Sequence, residues 1–154
     1  MEFIYIYSIN WYTNREILQI FILTTTKTNH ALQNAISTIE TMVEDFKKDQ
    51  QLQESNDYNQ QDELRESILN SALSVEFRSG WYSSLDEETK PEEFKILLTW
   101  GGPALRIIGE LDDYGPINPK LQFQDWGTPW TDFEITKDQQ KALNWFCNCF
   151  YFGG

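Results

Sequence analysis

The strongest constraint on this chain's fold is a change in the period of its apolar residues near Ser74. Before it, Leu32, Ala35, Ile36, Ile39, Met42, Val43 and Phe46 recur at three- and four-residue steps, and Leu64, Ile68, Leu69, Ala72 and Leu73 repeat the pattern. That spacing gathers apolar side chains on one side of an α-helix. Glu40, Glu44, Asp45, Lys47, Lys48 and Asp49 occupy the rest of the first surface, and Asp62, Glu63 and Glu66 point outward on the second. Thr28 or Asn29 can cap the first helix. The Gln- and Asn-rich stretch 50–61 predicts a loop or a frayed helix end between them, and the pair reads as a helical hairpin.

After Ser74 the period falls to two, as in a half-buried strand. Val75-Glu-Phe-Arg-Ser-Gly80 alternates, and an acidic loop at 86–93 carries Pro91. Residues 94–100 form the clearest strand, with Gly101-Gly102-Pro103 as a hairpin connection to a further strand at 105–111. A turn cluster at 113–119 precedes a strand at 120–126, then an aromatic loop, Gly127-Thr-Pro-Trp130. Residues 137–149 return to helical spacing through Ala142, Leu143, Trp145, Phe146 and Cys149. The ordering predicts an α+β fold: an N-terminal helical hairpin, an antiparallel meander of three or four strands, and a C-terminal helix packed on the sheet. Residues 1–26 are rich in Ile, Tyr, Phe and Thr and read as two short strands joined at 10–14. Their composition sets 1–25 apart as an apolar extension from a single domain over 26–154.

Charge and composition narrow the function. A chain of 154 residues can bury a core without disulfides or metals. It carries 24 Asp and Glu against 12 Lys and Arg, a net charge of −12. Such a surface repels a polyanion, so direct nucleic-acid binding and docking on an anionic membrane are disfavoured. Glu2 precedes the first apolar run and Arg15 is the earliest base, unlike a secretory signal, and neither early run has the ~18 apolar residues of a membrane span. A cytoplasmic location is expected.

With one histidine and two cysteines, the usual metal and nucleophile chemistries lack their residues, and no cofactor is expected. Cys147 and Cys149 have no Cys or His ligands near them, so they read as reduced thiols on an aromatic helix. His30 stands alone at a helix start. Gly101-Gly102-Pro103-Ala104 lacks the phosphate-loop spacing, and its proline removes a backbone donor. No twelve-residue calcium loop is present. Glu110, Asp112, Asp113, Asp125 and Asp132 could supply a catalytic pair only across a cleft, and chance pairs are expected among 24 acids.

Two features point to binding. Gln122-Phe-Gln-Asp-Trp-Gly-Thr-Pro-Trp130 places two tryptophans about a bend, either closing one end of the core or anchoring an interface. Residues 40–138 hold 22 of the acids and nine of the bases, either a solvated surface or an imitation of the phosphate rows of a duplex.

The runs Ser74-Val-Glu-Phe-Arg-Ser-Gly-Trp81, Gly101-Gly-Pro-Ala-Leu-Arg-Ile-Ile-Gly-Glu-Leu-Asp112, Leu121-Gln-Phe-Gln-Asp-Trp-Gly-Thr-Pro-Trp130 and Phe150-Tyr-Phe-Gly153 together resemble a group of small acidic proteins of phages, plasmids and integrated elements in proteobacteria. The resemblance covers residues 26–154, is strongest from Ser74 onward, and leaves the first 25 residues unmatched. It implies a mobile-element accessory protein, an origin shared by anti-CRISPR and anti-restriction inhibitors.

The first expectation is therefore a non-enzymatic protein that binds and inhibits a host nucleic-acid-handling defence protein, a CRISPR effector or restriction enzyme with a basic surface. Its contact would be a DNA-mimicking face of Glu110, Asp112, Asp113, Asp125 and Asp132, with Trp126 and Trp130 as anchors. The alternative is a small-ligand or catalytic pocket near Arg78, Arg106 and Asp125. A further alternative is a phage structural or assembly component that binds its own kind through exposed aromatics.

Overall fold

The computed structural model describes residues 30–83 and 90–152. The strands read at 1–26, the cap at Thr28 or Asn29 and residues 86–89 of the acidic loop lie outside the described residues.

The first apolar stripe forms α1 (His30–Glu54), which buries Ala31, Ala35, Ile39 and Met42 at the predicted steps. The helix runs well into the stretch read as a loop or frayed helix end, because Leu52 still packs on the core. It stops where Asn56 turns left-handed, with Asp57 N–H donating to the Leu52 carbonyl and Asn56 N–H to that of Gln53. Asparagine tolerates that conformation, and the two bonds satisfy carbonyls the helix end leaves open. Asp57 then caps α2 (Tyr58–Ser71) by accepting from the Gln60 N–H. The connection is three residues, Ser55 to Asp57, in place of the predicted loop or frayed helix end over 50–61. In α2 only Gln61, Leu64 and Ile68 are buried, and Leu69 and the following Leu73 stand exposed.

Five strands follow in sequential antiparallel order: β1 (Ser74–Arg78), β2 (Glu93–Thr99), β3 (Ala104–Asp112), β4 (Gly115–Gln124) and β5 (Thr131–Asp132). The predicted meander has one strand more than expected, since two residues after Trp130 pair with Gln122 and Phe123. The predicted turn at 113–119 is also shorter. Asp113 and Tyr114 make the turn, and β4 begins at Gly115, so Pro116 and Pro119 lie in the strand. The proline-rich composition misled because a strand at a sheet margin needs few of its own N–H groups.

The capped helix α3 (Lys137–Asn148) closes the fold. Its Thr136–Gln139 capping box fixes the start, and Ala142, Leu143, Phe146 and Cys147 face inward. The core lies between one sheet face and the helices. Phe94, Ile96 and Leu98 of β2, Leu105 and Ile107 of β3 and Leu121 of β4 meet Ile39 and Met42 of α1 and the inner side of α3. Gly109 is required there, since a Cβ would lie 2.5 Å from the Phe94 ring. One buried carboxylate joins the helices: Asp49 of α1 accepts from Gln61 Nε2 of α2 at 2.9 Å and Trp145 Nε1 of α3 at 3.2 Å. No described helix is long and apolar enough to cross a membrane.

Candidate functional site

Because strand side chains alternate, the residues between the core positions of β1–β5 all project from the other side of the sheet. No described element covers that side. The register aligns them in rows across the strands. In the first, Leu97, Arg106, Gln122 and Asp132 stand side by side. Arg106 Nε donates to Gln122 Oε1 at 2.8 Å, and Gln122 Nε2 donates to Asp132 Oδ1 at 2.6 Å. The Arg106 guanidinium also lies 4.1 Å from the centre of the Trp130 ring. Burial lowers the Arg106 pKa from its usual value, but a guanidinium stays charged.

In the second row Glu76, Lys95, Ile108 and Lys120 align. Lys95 pairs with Glu76 at 2.8 Å, and Lys120 reaches Asp132 at 3.4 Å. The Gln122 N–H and Lys120 hold the Asp132 carboxyl below its ordinary pKa, partly opposed by burial. In the third row Arg78 pairs with Glu93, and Glu110 accepts from Asn118 at 3.4 Å. Four cations (Arg78, Lys95, Arg106, Lys120) thus stand among four acids (Glu76, Glu93, Glu110, Asp132). They line or border an open depression of about 560 Å³. A chain with net charge −12 presents a balanced face here.

The acids singled out by sequence are distributed along the sheet. Asp112 and Asp113 sit at the β3–β4 turn, where Asp112 accepts from the Tyr114 N–H and Asp113 pairs with Lys90 at 3.0 Å. Asp125 lies at the opposite end, bonded to the Trp126 N–H and tied to Thr128. The ten residues of β4 separate the two ends by about 30 Å. Glu110 and Asp132 lie on the face between them. Trp126 leans on Gly102, where a Cβ would lie 1.9 Å from its indole nitrogen, and remains 76% exposed. Trp130 is half-buried on Arg106. Arg78 and Arg106 share the depression, and Asp125 is not part of its lining.

Sequence reasoning missed Lys95, Lys120, Asn118 and Gln122. Each occupies a step that alternates with the core positions of its strand, and Gln122 is itself buried there between Arg106 and Asp132. The larger charge imbalance lies elsewhere. Residues 30–71, the helical hairpin, carry nine acids against three bases. Glu40, Glu44, Glu54, Asp62, Glu63 and Glu66 are all exposed and form no salt bridge with a described residue.

The thiols belong to the core. Cys147 is buried, and burial raises the pKa of both Cys147 and Cys149, disfavouring the reactive thiolate. His30 opens α1 as an exposed residue. Among the described residues no three His, Cys, Asp or Glu side chains converge as a metal set. Comparison of the chain with protein-family models, with curated proteins and with solved structures finds no match.

Proposed function

We propose that this chain is a non-enzymatic protein that binds a basic, nucleic-acid-handling partner and occludes its nucleic-acid channel, with the exposed acids of the helical hairpin as the principal contact. One observation carries this reading. The hairpin holds six exposed acids outside any described salt bridge, while the acids of the sheet face are already engaged by neighbouring side chains. An unpaired carboxylate is free to meet a partner's lysine or arginine without first breaking an internal bond. Clustered charge of one sign accelerates encounter with a basic groove and makes binding salt-dependent. The resemblance to mobile-element accessory proteins narrows the partner to a host defence protein, a CRISPR effector or restriction enzyme. Trp126, exposed at the end of the sheet, supplies an aromatic anchor.

The test is capture from nuclease-treated host lysate with elution by a salt step, mass spectrometry, and competition with duplex DNA. The wild type is expected to release a nucleic-acid-binding protein at raised salt and to compete with DNA for it. Glu40→Lys, Glu44→Lys, Asp62→Lys, Glu63→Lys and Glu66→Lys combined should abolish capture with an unchanged circular-dichroism spectrum. Capture of the same protein by the reversed variant would overturn the reading.

A further inference from the structure

The two margins of the sheet are finished differently. At the β4 margin, strand residues beyond the short β5 include Pro116 and Pro119, which have no N–H to offer, and Gln140 of α3 donates to the Pro119 carbonyl at 3.1 Å. Prolines and covering side chains are devices by which proteins close a sheet edge. Among the described residues the β1 margin has neither. No described strand pairs with its outer side, and Ser74-Val-Glu-Phe-Arg78 contains no proline. The helical layer also ends short of it. Leu73, Val75 and Phe77 point to the helix side by alternation, yet Leu73 is 62% exposed and Phe77 50%. Trp81 and Tyr82, just beyond the strand, are exposed too.

We propose that β1 pairs antiparallel with β1 of a second copy of this chain, about a two-fold axis at Phe77, to make one continuous ten-stranded sheet. The inference does not rest on the inhibitor reading. The argument is self-complementarity. With Phe77 facing Phe77 of the second copy, Glu76 faces Arg78 and Arg78 faces Glu76. The ion pairs already present then extend across the junction as an alternating row, Lys95, Glu76, then Arg78 and Glu93 of the second copy, and the same again in reverse. On the helix side Val75 meets Ser79, and Leu73 meets Trp81 where the pairing continues. Opposite charges and aromatic pairs facing one another across strands are stabilising, and like charges are not. A register centred on Glu76 would set Glu76 against Glu76. One centred on Val75 would give neither Glu76 nor Arg78 an oppositely charged partner. Among these registers, all of which keep both helical layers on one side, the Phe77 axis satisfies charge and apolar surface together.

Sedimentation of the purified full chain over a micromolar dilution series tests this without any partner protein, so its outcome is separate from that of the capture experiment. The wild type is expected at twice the 18.2 kDa chain mass, falling toward the monomer on dilution. Phe77→Lys, at an exposed position, sets two like charges on the axis and should give the monomer mass throughout with an unchanged circular-dichroism spectrum. Phe77→Cys should form a disulfide-linked dimer on mild oxidation, because directly opposed residues lie within disulfide reach. Glu76→Cys should not, since its opposite is Arg78, and the wild type controls for Cys147 and Cys149. A wild type that is monomeric at every concentration overturns the proposal. So does a dimer mass untouched by Phe77→Lys, or cross-linking of Glu76→Cys as efficient as that of Phe77→Cys.

Discussion

Ile107 and Ile108 are consecutive in β3 and project from opposite faces of one sheet. Ile107 lies under α1 and α3, fully removed from water, among Ile96, Leu121 and Leu143. Ile108 stands half-buried between Lys95 and Lys120. The covered face is held by apolar area and close packing, whose energy follows volume. The open face is held by ion pairs and hydrogen bonds, most of them in contact with water, which contribute little stability each but orient its charged side chains. One sheet therefore separates the two tasks: its inner face carries the folding energy, and its outer face carries an ordered polar array.

The largest expected effect tests that division directly. Ile107→Ala should cost about 2–5 kcal/mol, because the removed methyl groups leave a cavity in a fully packed layer. Ile108→Ala should cost about 1 kcal/mol or less, since water already reaches its side chain. Urea denaturation of the two variants measures both, and equal losses would mean that the open face is covered as the core is. A smaller effect concerns pH. The Asp132 carboxyl titrates below its ordinary value in the folded protein, so its contribution is present above the unfolded pKa and is lost as pH falls through the folded one. Melting temperatures measured down the acid limb, below about pH 4, should converge for wild type and Asp132→Asn, with the wild type showing the steeper fall. Persistence of the gap at the lowest pH would assign the difference to something other than this carboxylate. The smallest effect is at Lys95, whose salt bridge with Glu76 is largely solvated. Lys95→Ala should change stability by under about 0.5 kcal/mol by the same denaturation measurement.

The parts of the fold legible in the sequence are those in which one side of an element is buried. The stripe Ala35–Ile39–Met42, the alternation of β2 and the inner positions of α3 all print their periods because a polar residue there would be buried without a partner. The misread segments are those where local chemistry has a second solution. Residues 50–61 are polar, yet α1 persists through Glu54, and the turn is made by an asparagine that accepts a left-handed conformation and an aspartate that caps. The prolines near the β3–β4 turn signal a loop, yet the strand accommodates them at a margin. Of the candidate site, Arg106, Trp130 and Asp132 were visible as residue types. Their assembly was not, because Gln122, which links Arg106 to Asp132, belongs to a different strand from either.

The sequence by itself determined the order of elements, the α+β class and the large negative charge, since periodicity and composition are local properties of a chain. The tertiary structure decided which charges are paired among the described residues. Ion pairs depend on cross-strand register, and register is set by the packing of the whole inner face. The same packing neutralises the acids of the sheet, leaves six of the hairpin's nine acids exposed, and ends the helical layer short of β1.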